Sequence, residues 1–281
     1  MPALPEPAGR ALVRRPGPAV ADGLLTHLKR TPVDAARALE QWTGYVAAFT
    51  AAGWDVVEVP EAPEHPDAVF VEDTAVVVGE VAIACRPGAP SREGEVAGTV
   101  ATLTGLGYPV LRMREGHLDG GDVLQVGMRI YVGTGGRTDA AGAAEFARLI
   151  EPLGRTVRPV PHGAALHLKS AVTALPDGTV LGHPALAGDP PAFPGARPVP
   201  EQSGSHVVDL GGGRVLLAAS APRTAVLLAD LGWTPVPVDI EEFERLEGCV
   251  TCLSVRLRRP PQTVPAPPPA PGGPGRAEVG T

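Results

Sequence analysis

Two hydrophobic periods alternate along this chain. Residues 10–16 hold a short apolar run, Ala11-Leu12-Val13, that reads as a strand, and a Gly/Pro-broken loop at 16–31 follows it. Thr31-Pro32 then opens a helix, with proline in the first turn, where its missing N–H costs nothing. Val33, Ala36, Leu39, Trp42, Val46 and Phe49 keep one helix face apolar until Gly53 stops it. Residues 55–60 form the next strand.

That unit recurs. Strand pairs are expected at 74–79 and 81–86, 123–126 and 129–132, 170–175 and 179–183, and 206–210 and 214–219. Helices follow three of them, at 91–106, 139–153 and 222–231, while the pair ending at 183 is followed by a Pro/Gly-rich stretch instead. Each unit closes on a similar strand: 108–113, 156–161, 197–200 and 234–238. A fifth unit forms only if the ends join, with 252–257 pairing against 11–14. Repeats of this period suggest a propeller or array. The expectation is an α/β fold, a five-bladed ββαβ propeller closed by its N- and C-terminal strands, which leaves few free strand edges. The competing description is an ordinary α/β domain with accidental periodicity. A single domain is placed at 10–259. Residues 260–281, with eight prolines between Pro260 and Pro274, are expected to be a disordered or polyproline-like tail.

Composition narrows the function. Hydrophobic residues make up 44% but aromatics only 4%, so the core is built from Val, Leu, Ala and Ile. Net charge is −7 and spread out, which argues against nucleic acid as a partner. The most apolar stretch, 215–233, is broken by Pro222, Arg223 and Asp230, so no membrane span is expected. No secretory signal is visible at the start, and three sparse cysteines make no disulfide framework; a reducing cytoplasm fits best.

Two of the three cysteines stand in Glu247-Gly248-Cys249-Val250-Thr251-Cys252-Leu253-Ser254. Cys252, where a loop enters a strand, is read as a nucleophile, as a small buried apolar residue, or as half of a redox or metal pair. Asp67, Glu72 and Asp73 bracket a Val-Phe-Val core, so at least one carboxylate is expected to be buried, and a cationic ligand would partner it; the alternative is turn and cap residues. Asp119-Gly120-Gly121-Asp122 suits a sharp turn with close backbone approach, and an acid there could orient a histidine. His167 and Lys169 share one side if extended. Lys169 is one of only two lysines, and His167 paired with a thiol becomes an acid/base candidate. Arg86, Arg92 and Arg137 follow strand pairs, where guanidinium forks could grip a carboxylate. Gly23-Leu24-Leu25 is a lid or a minor core contact.

Four motifs, Phe70-Val71-Glu72-Asp73, Leu118-Asp119-Gly120-Gly121-Asp122, His167-Leu168-Lys169-Ser170 and Gly248-Cys249-Val250-Thr251-Cys252-Leu253-Ser254, occur in one order. In this the chain resembles the dimethylarginine dimethylaminohydrolases of the guanidino-modifying (pentein) superfamily, from about residue 11 to 258. The resemblance implies a five-bladed ββαβ propeller. It implies hydrolysis of a small-molecule methylated arginine to citrulline and an alkylamine through a covalent Cys S-alkylthiouronium. By motif, Cys252 is the nucleophile, His167 the general acid/base and Asp119 its orienting acid. Asp67, Glu72 and Asp73 fall on substrate carboxylates, Arg92 and Arg137 on arginines for the substrate α-carboxylate, Leu24 on a lid leucine and Leu246 on a backbone contact. Cys249 is not the family nucleophile. No cofactor is implied; zinc at Cys252 and His167 would inhibit. A monomer or homodimer is expected. The rivals are arginine deiminase chemistry, amidino transfer, and non-catalytic capture of arginine derivatives.

Overall fold

Four times along the chain, a hairpin is joined through a crossover to a third strand that runs parallel to the middle one, and the two chain ends supply the antiparallel pair of a fifth such unit. The structure, a computed structural model, describes residues 8–162, 165–186, 193 and 195–258. Strands β1 (Arg10–Val13) and β2 (Asp55–Glu58) flank helix α1 (Ala35–Ala51). β3 (Ala75–Val78), β4 (Val81–Ala84), α2 (Val96–Gly105) and β5 (Val110–Arg112) make the next blade. β6 (Val123–Val126), β7 (Arg129–Thr134), α3 (Ala140–Ile150) and β8 (Thr156–Pro161) follow. The fourth blade is β9 (Val172–Ala174), β10 (Val180–Gly182) and β11 (Arg197–Pro198). The fifth is β12 (Val207–Gly211), β13 (Arg214–Ala218), α4 (Pro222–Asp230) and β14 (Thr234–Val238). A short α5 (Glu241–Glu244) leads to the last strand, β15 (Val255–Leu257).

The five sheets are separate and three-stranded, ordered β15-β1-β2, β3-β4-β5, β6-β7-β8, β11-β10-β9 and β12-β13-β14. In each, the middle strand pairs antiparallel on one side and parallel on the other. The terminal strands complete a blade as expected: β1 pairs with β15 antiparallel, with Arg10 opposite Leu257 and Leu12 opposite Val255. Hairpin turns recur at Gly79 (φ 64°) and Gly127 (φ 59°), a conformation in which a Cβ would be strained.

Each helix buries one stripe against its sheet. On α3 the stripe is Ala143, Phe146 and Ile150, which fill a core with Ile83, Ile130 and Val132. Burying a side chain of the Phe or Ile kind stabilises by roughly 1.5–3 kcal/mol relative to exposure. Arg14, on the loop after β1, is a long charged side chain driven fully inside. Its Nε donates to Pro60 O (3.0 Å), and its terminal nitrogens donate to Ala68 O (3.1 Å), Glu95 O (2.8 Å) and Thr99 Oγ1 (3.3 Å). Arg14 thereby nails the 60–68 loop to the second blade.

Three boundaries depart from expectation. α1 starts at Ala35, not at Thr31-Pro32, because Asp34 captures the Ala36 and Arg37 amides and caps the helix there. The 91–106 helix begins as a tight 3-10 segment, Pro90–Glu95, whose Arg92 is drawn inward by buried acids. Cys252 lies in a turn three residues ahead of β15 rather than in the strand. The interval 183–197, read as lacking a helix, contains a 3-10 turn at Pro184–Leu186; residues 187–192 and 194 lie outside the described residues, as does the 260–281 tail. No helix among the described residues is long and apolar enough to cross a membrane.

Candidate active site

Four blades enter their first strand through a 3-10 turn: Val71–Thr74 before β3, Gly120–Asp122 before β6, Leu168–Ser170 before β9 and Gln202–Ser205 before β12. In the fifth position, the turn closed by Cys252 N–H to Cys249 O (3.0 Å) precedes β15. The propeller thus repeats one device, and the sequence varies the side chain it carries. The turns bear Asp73, Asp119 with Asp122, His167 and Cys252; the Gln202–Ser205 turn contributes only the small buried Gly204 and Ser205.

His167 is 2% exposed and held by its neighbours on two blades. Its Nε2 meets Asp119 Oδ2 at 3.0 Å, and its Nδ1 lies 3.8 Å from Asp73 Oδ1 with no hydrogen-bond partner. Asp119 is itself fixed, accepting the Gly88 N–H (2.8 Å). Asp122, fully buried, accepts the Leu168 N–H (2.8 Å), the Thr138 hydroxyl (2.6 Å) and a contact from His162 Nε2 (2.8 Å), which fastens the segment bearing His167. Burial disfavours the imidazolium, but Asp73, the Asp119 hydrogen bond and Asp122 outweigh it and lift the His167 pKa to about 10. Burial likewise opposes Asp73 ionisation, yet His167, Arg92 and the Gly121 N–H (2.9 Å) hold its pKa down at about 2.

The Cys252 sulfur is 3.2 Å from that of Cys249. That hydrogen bond, burial, and the charges of Cys249, Glu72 and Asp73 push the Cys252 thiol well up, so Cys252 is the sulfur of the pair that keeps its proton. The turn around it is braced by Arg256, which donates to Thr251 O (2.9 Å), Ser254 O (2.7 Å) and Ser254 Oγ (3.0 Å). The Tyr45 hydroxyl adds a bond to Val250 O (2.8 Å) from inside α1.

One small pocket joins Leu24, Asp67, Asp73, Arg92, Arg137, His167, Leu246 and Cys252. It encloses about 20 Å³, room for a single water. Asp67 accepts the Leu24 N–H at 3.0 Å, and burial raises its pKa against the opposing pull of Arg92. Arg92 is buried and heavily engaged, donating to Asp73 Oδ2 (2.5 Å), Glu95 Oε2 (2.8 Å), Phe70 O (3.1 Å) and Asp67 O (3.2 Å). Arg137 is half-buried at the rim and reaches Thr26 Oγ1 (3.2 Å). Asp119 stands behind the imidazole rather than on the pocket wall.

Glu72 departs from the expected set: its carboxylate is not brought into this pocket. It faces a separate cavity of about 410 Å³, where it pairs with Lys169 (2.6 Å) and Arg256 (2.5 Å). Neighbours on a tight 3-10 turn point apart, so one of the two adjacent acids had to turn away from the other. Arg86 is also outside, donating to Gly116 O (3.1 Å). Sequence reading assigned no role to Glu95, Arg256 or Glu247. Only Glu95 carried a signal, its i+3 spacing from Arg92. Ligand atoms of Asp73, Asp119 and His167 lie within 4.8 Å of one another, a donor set that could hold a divalent cation, and the Cys252 sulfur is not part of it.

Five three-stranded blades, four of them with the ββαβ helix among the described residues, and a thiol, an imidazole and carboxylates delivered by their equivalent turns define a pentein, the architecture of guanidino-modifying proteins. Curated relatives named N(G),N(G)-dimethylarginine dimethylaminohydrolase are 59% identical in Streptomyces coelicolor, over 90% of this chain and 98% of the relative, and 32% identical in Pseudomonas aeruginosa, over 88% and 98%. The chain belongs to the dimethylarginine dimethylaminohydrolase family. The solved Pseudomonas aeruginosa enzyme complexed with citrulline superposes with a TM-score of 0.82 at 30% identity, over 89% of this chain and all of that one. No protein-family model matches.

Proposed function

We propose that this protein hydrolyses Nω-methylated arginines, asymmetric dimethylarginine and monomethylarginine, to citrulline plus dimethylamine or methylamine. The observation that carries the reading is the meeting of Cys252 and His167 in one pocket whose walls include the buried acids Asp67 and Asp73. The family membership of the chain supports the same substrate class.

The chemistry follows from the charges. A guanidinium entering beside Asp73 adds a positive neighbour to the Cys252 sulfur, which lowers its pKa; the thiol proton leaves to solvent. The thiolate attacks the central guanidine carbon, held in near-attack geometry. His167, an imidazolium at neutral pH, protonates the departing alkylamine through Nδ1, leaving an S-alkylthiouronium on Cys252. Neutral His167 then takes a proton from water, hydroxide adds to the same carbon, and the C–S bond breaks to release citrulline and the thiolate. Turnover on this course uses no cofactor, and zinc bound by Cys252 and His167 would block both groups; chelator-reversible inhibition by zinc tests that.

The deciding assay measures citrulline in parallel from arginine, monomethylarginine and asymmetric dimethylarginine. Dimethylamine release from the last, at a higher kcat/KM than for arginine, is expected. Preference for plain arginine would replace the reading with deiminase chemistry, and tight binding without citrulline would reduce it to capture.

A further inference from the structure

Glu247 is the one non-glycine residue among those described with a left-handed backbone, φ 61°. L side chains adopt this region at a cost, so a residue kept there has something to offset it. Its carboxylate supplies the compensation. Oε2 accepts the Thr26 N–H at 2.9 Å, and Oε1 accepts the Leu28 N–H at 2.6 Å and a still shorter bond from the His27 N–H. Three successive amides converge on one anion, a nest of the kind that binds carboxylates and phosphates.

The segments so joined matter. On one side is the loop carrying Leu24, which lines the pocket and whose N–H is held by Asp67. On the other are Leu246 and Gly248, both on the pocket wall, six and four residues ahead of Cys252. Gly248 lies against the Phe70 ring, so closely that a Cβ there would overlap it. Arg137 adds a bond to Thr26 Oγ1 from the rim, and Arg30 ties the loop to itself through Ala21 O (2.8 Å) and Gly23 O (2.6 Å).

We propose that Glu247 is a positioning residue that latches the 23–28 loop shut over the bound amino acid, tying the lid to the segment that carries the nucleophile. A pocket with room for one water must open to admit an arginine derivative, so the latch is made and broken in each cycle. Its strength then sets how long substrate is retained. The kinetic part of this inference rests on the function proposed above; the structural part does not.

The test is Glu247→Gly in the full-length chain. Glycine suits φ 61° better than glutamate, so the backbone is relieved while the carboxylate is lost. Amide hydrogen exchange without ligand is expected to speed up at Thr26, His27 and Leu28 by about tenfold or more. Thermal stability is expected to hold. With asymmetric dimethylarginine, KM is expected to rise about tenfold while kcat stays within about twofold. Glu247→Gln, with one acceptor oxygen in place of two, falls between. Unchanged exchange at the three amides in Glu247→Gly overturns the latch. Accelerated exchange with an unchanged KM overturns its part in substrate retention. If no methylarginine is turned over by the parent protein, the exchange result still decides the latch.

Discussion

Asp119 Oδ2 meets His167 Nε2 at 3.0 Å, which commits that face of the ring and leaves Nδ1 facing the pocket beside Asp73. The arrangement fixes which nitrogen exchanges protons with substrate. Asp119→Asn keeps the shape but exchanges a charged acceptor for a neutral amide. We expect kcat for citrulline formation to fall about a hundredfold or more, with the fold intact by circular dichroism. Unchanged kcat would remove Asp119 from the machinery.

The same pair makes stability depend on pH. His167 is held at about 10 against an ordinary 6.5. A raised folded-state pKa gives stability that is whole below about 6.5 and is lost as pH rises through 10. Asp73, held at about 2 against 3.8, gives stability that is whole above 3.8 and is lost as pH falls through 2. Denaturant titrations are expected to show the alkaline decline, and His167→Gln to flatten it between pH 7 and 10.

The two sulfurs differ in role although they touch. Cys252→Ser is expected to abolish citrulline formation, and Cys249→Ser to retain most of it. Because either sulfur can contribute thiolate absorbance, the protonation state of Cys252 is best read in Cys249→Ser. No thiolate is expected there at neutral pH until substrate or a guanidinium analogue is added. Cys249→Ser also removes the largest cause of the raised Cys252 pKa, so thiolate already present there without ligand would show that burial and the Glu72 and Asp73 charges do not keep Cys252 protonated.

Gly121 leaves no space for a side chain: a Cβ would stand 2.6 Å from His167 Nδ1 and 2.7 Å from Asp73 Oδ1. Gly121→Ala must displace one of these groups, so a loss of kcat of at least about tenfold is expected. Steady-state kinetics on asymmetric dimethylarginine measure it.

Arg14 donates to three backbone carbonyls, those of Pro60, Ala68 and Glu95. Arg14→Leu orphans them and is expected to destabilise by about 3 kcal/mol or more, read as a lowered denaturant midpoint. The 60–68 loop, which carries Asp67, should be the first to gain protease sensitivity.

The propeller was legible because each blade spells out its own hairpin and closing strand; the strands at 156–161 and 234–238 lie where the apolar pattern places them. Cys252, His167 and the flanking acids were legible as residue types in order. Glu72 was not, since adjacent carboxylates on a tight turn diverge, and nothing in the sequence says which one faces the pocket. Arg92 was read as a free fork, whereas Glu95 and Asp73 already occupy most of it. Glu247 had no signature, because its partners are peptide amides, which every residue possesses.

The nucleophile sits just ahead of β15, the strand that β1 must find from the opposite end of the chain. Imidazole and acids come from blades formed by contiguous sequence, but the sulfur joins them only when this longest-range pairing is made. The position of Cys252 is therefore tied to ring completion: the contact that unites the two chain ends is also the one that seats the sulfur among groups supplied by the other blades.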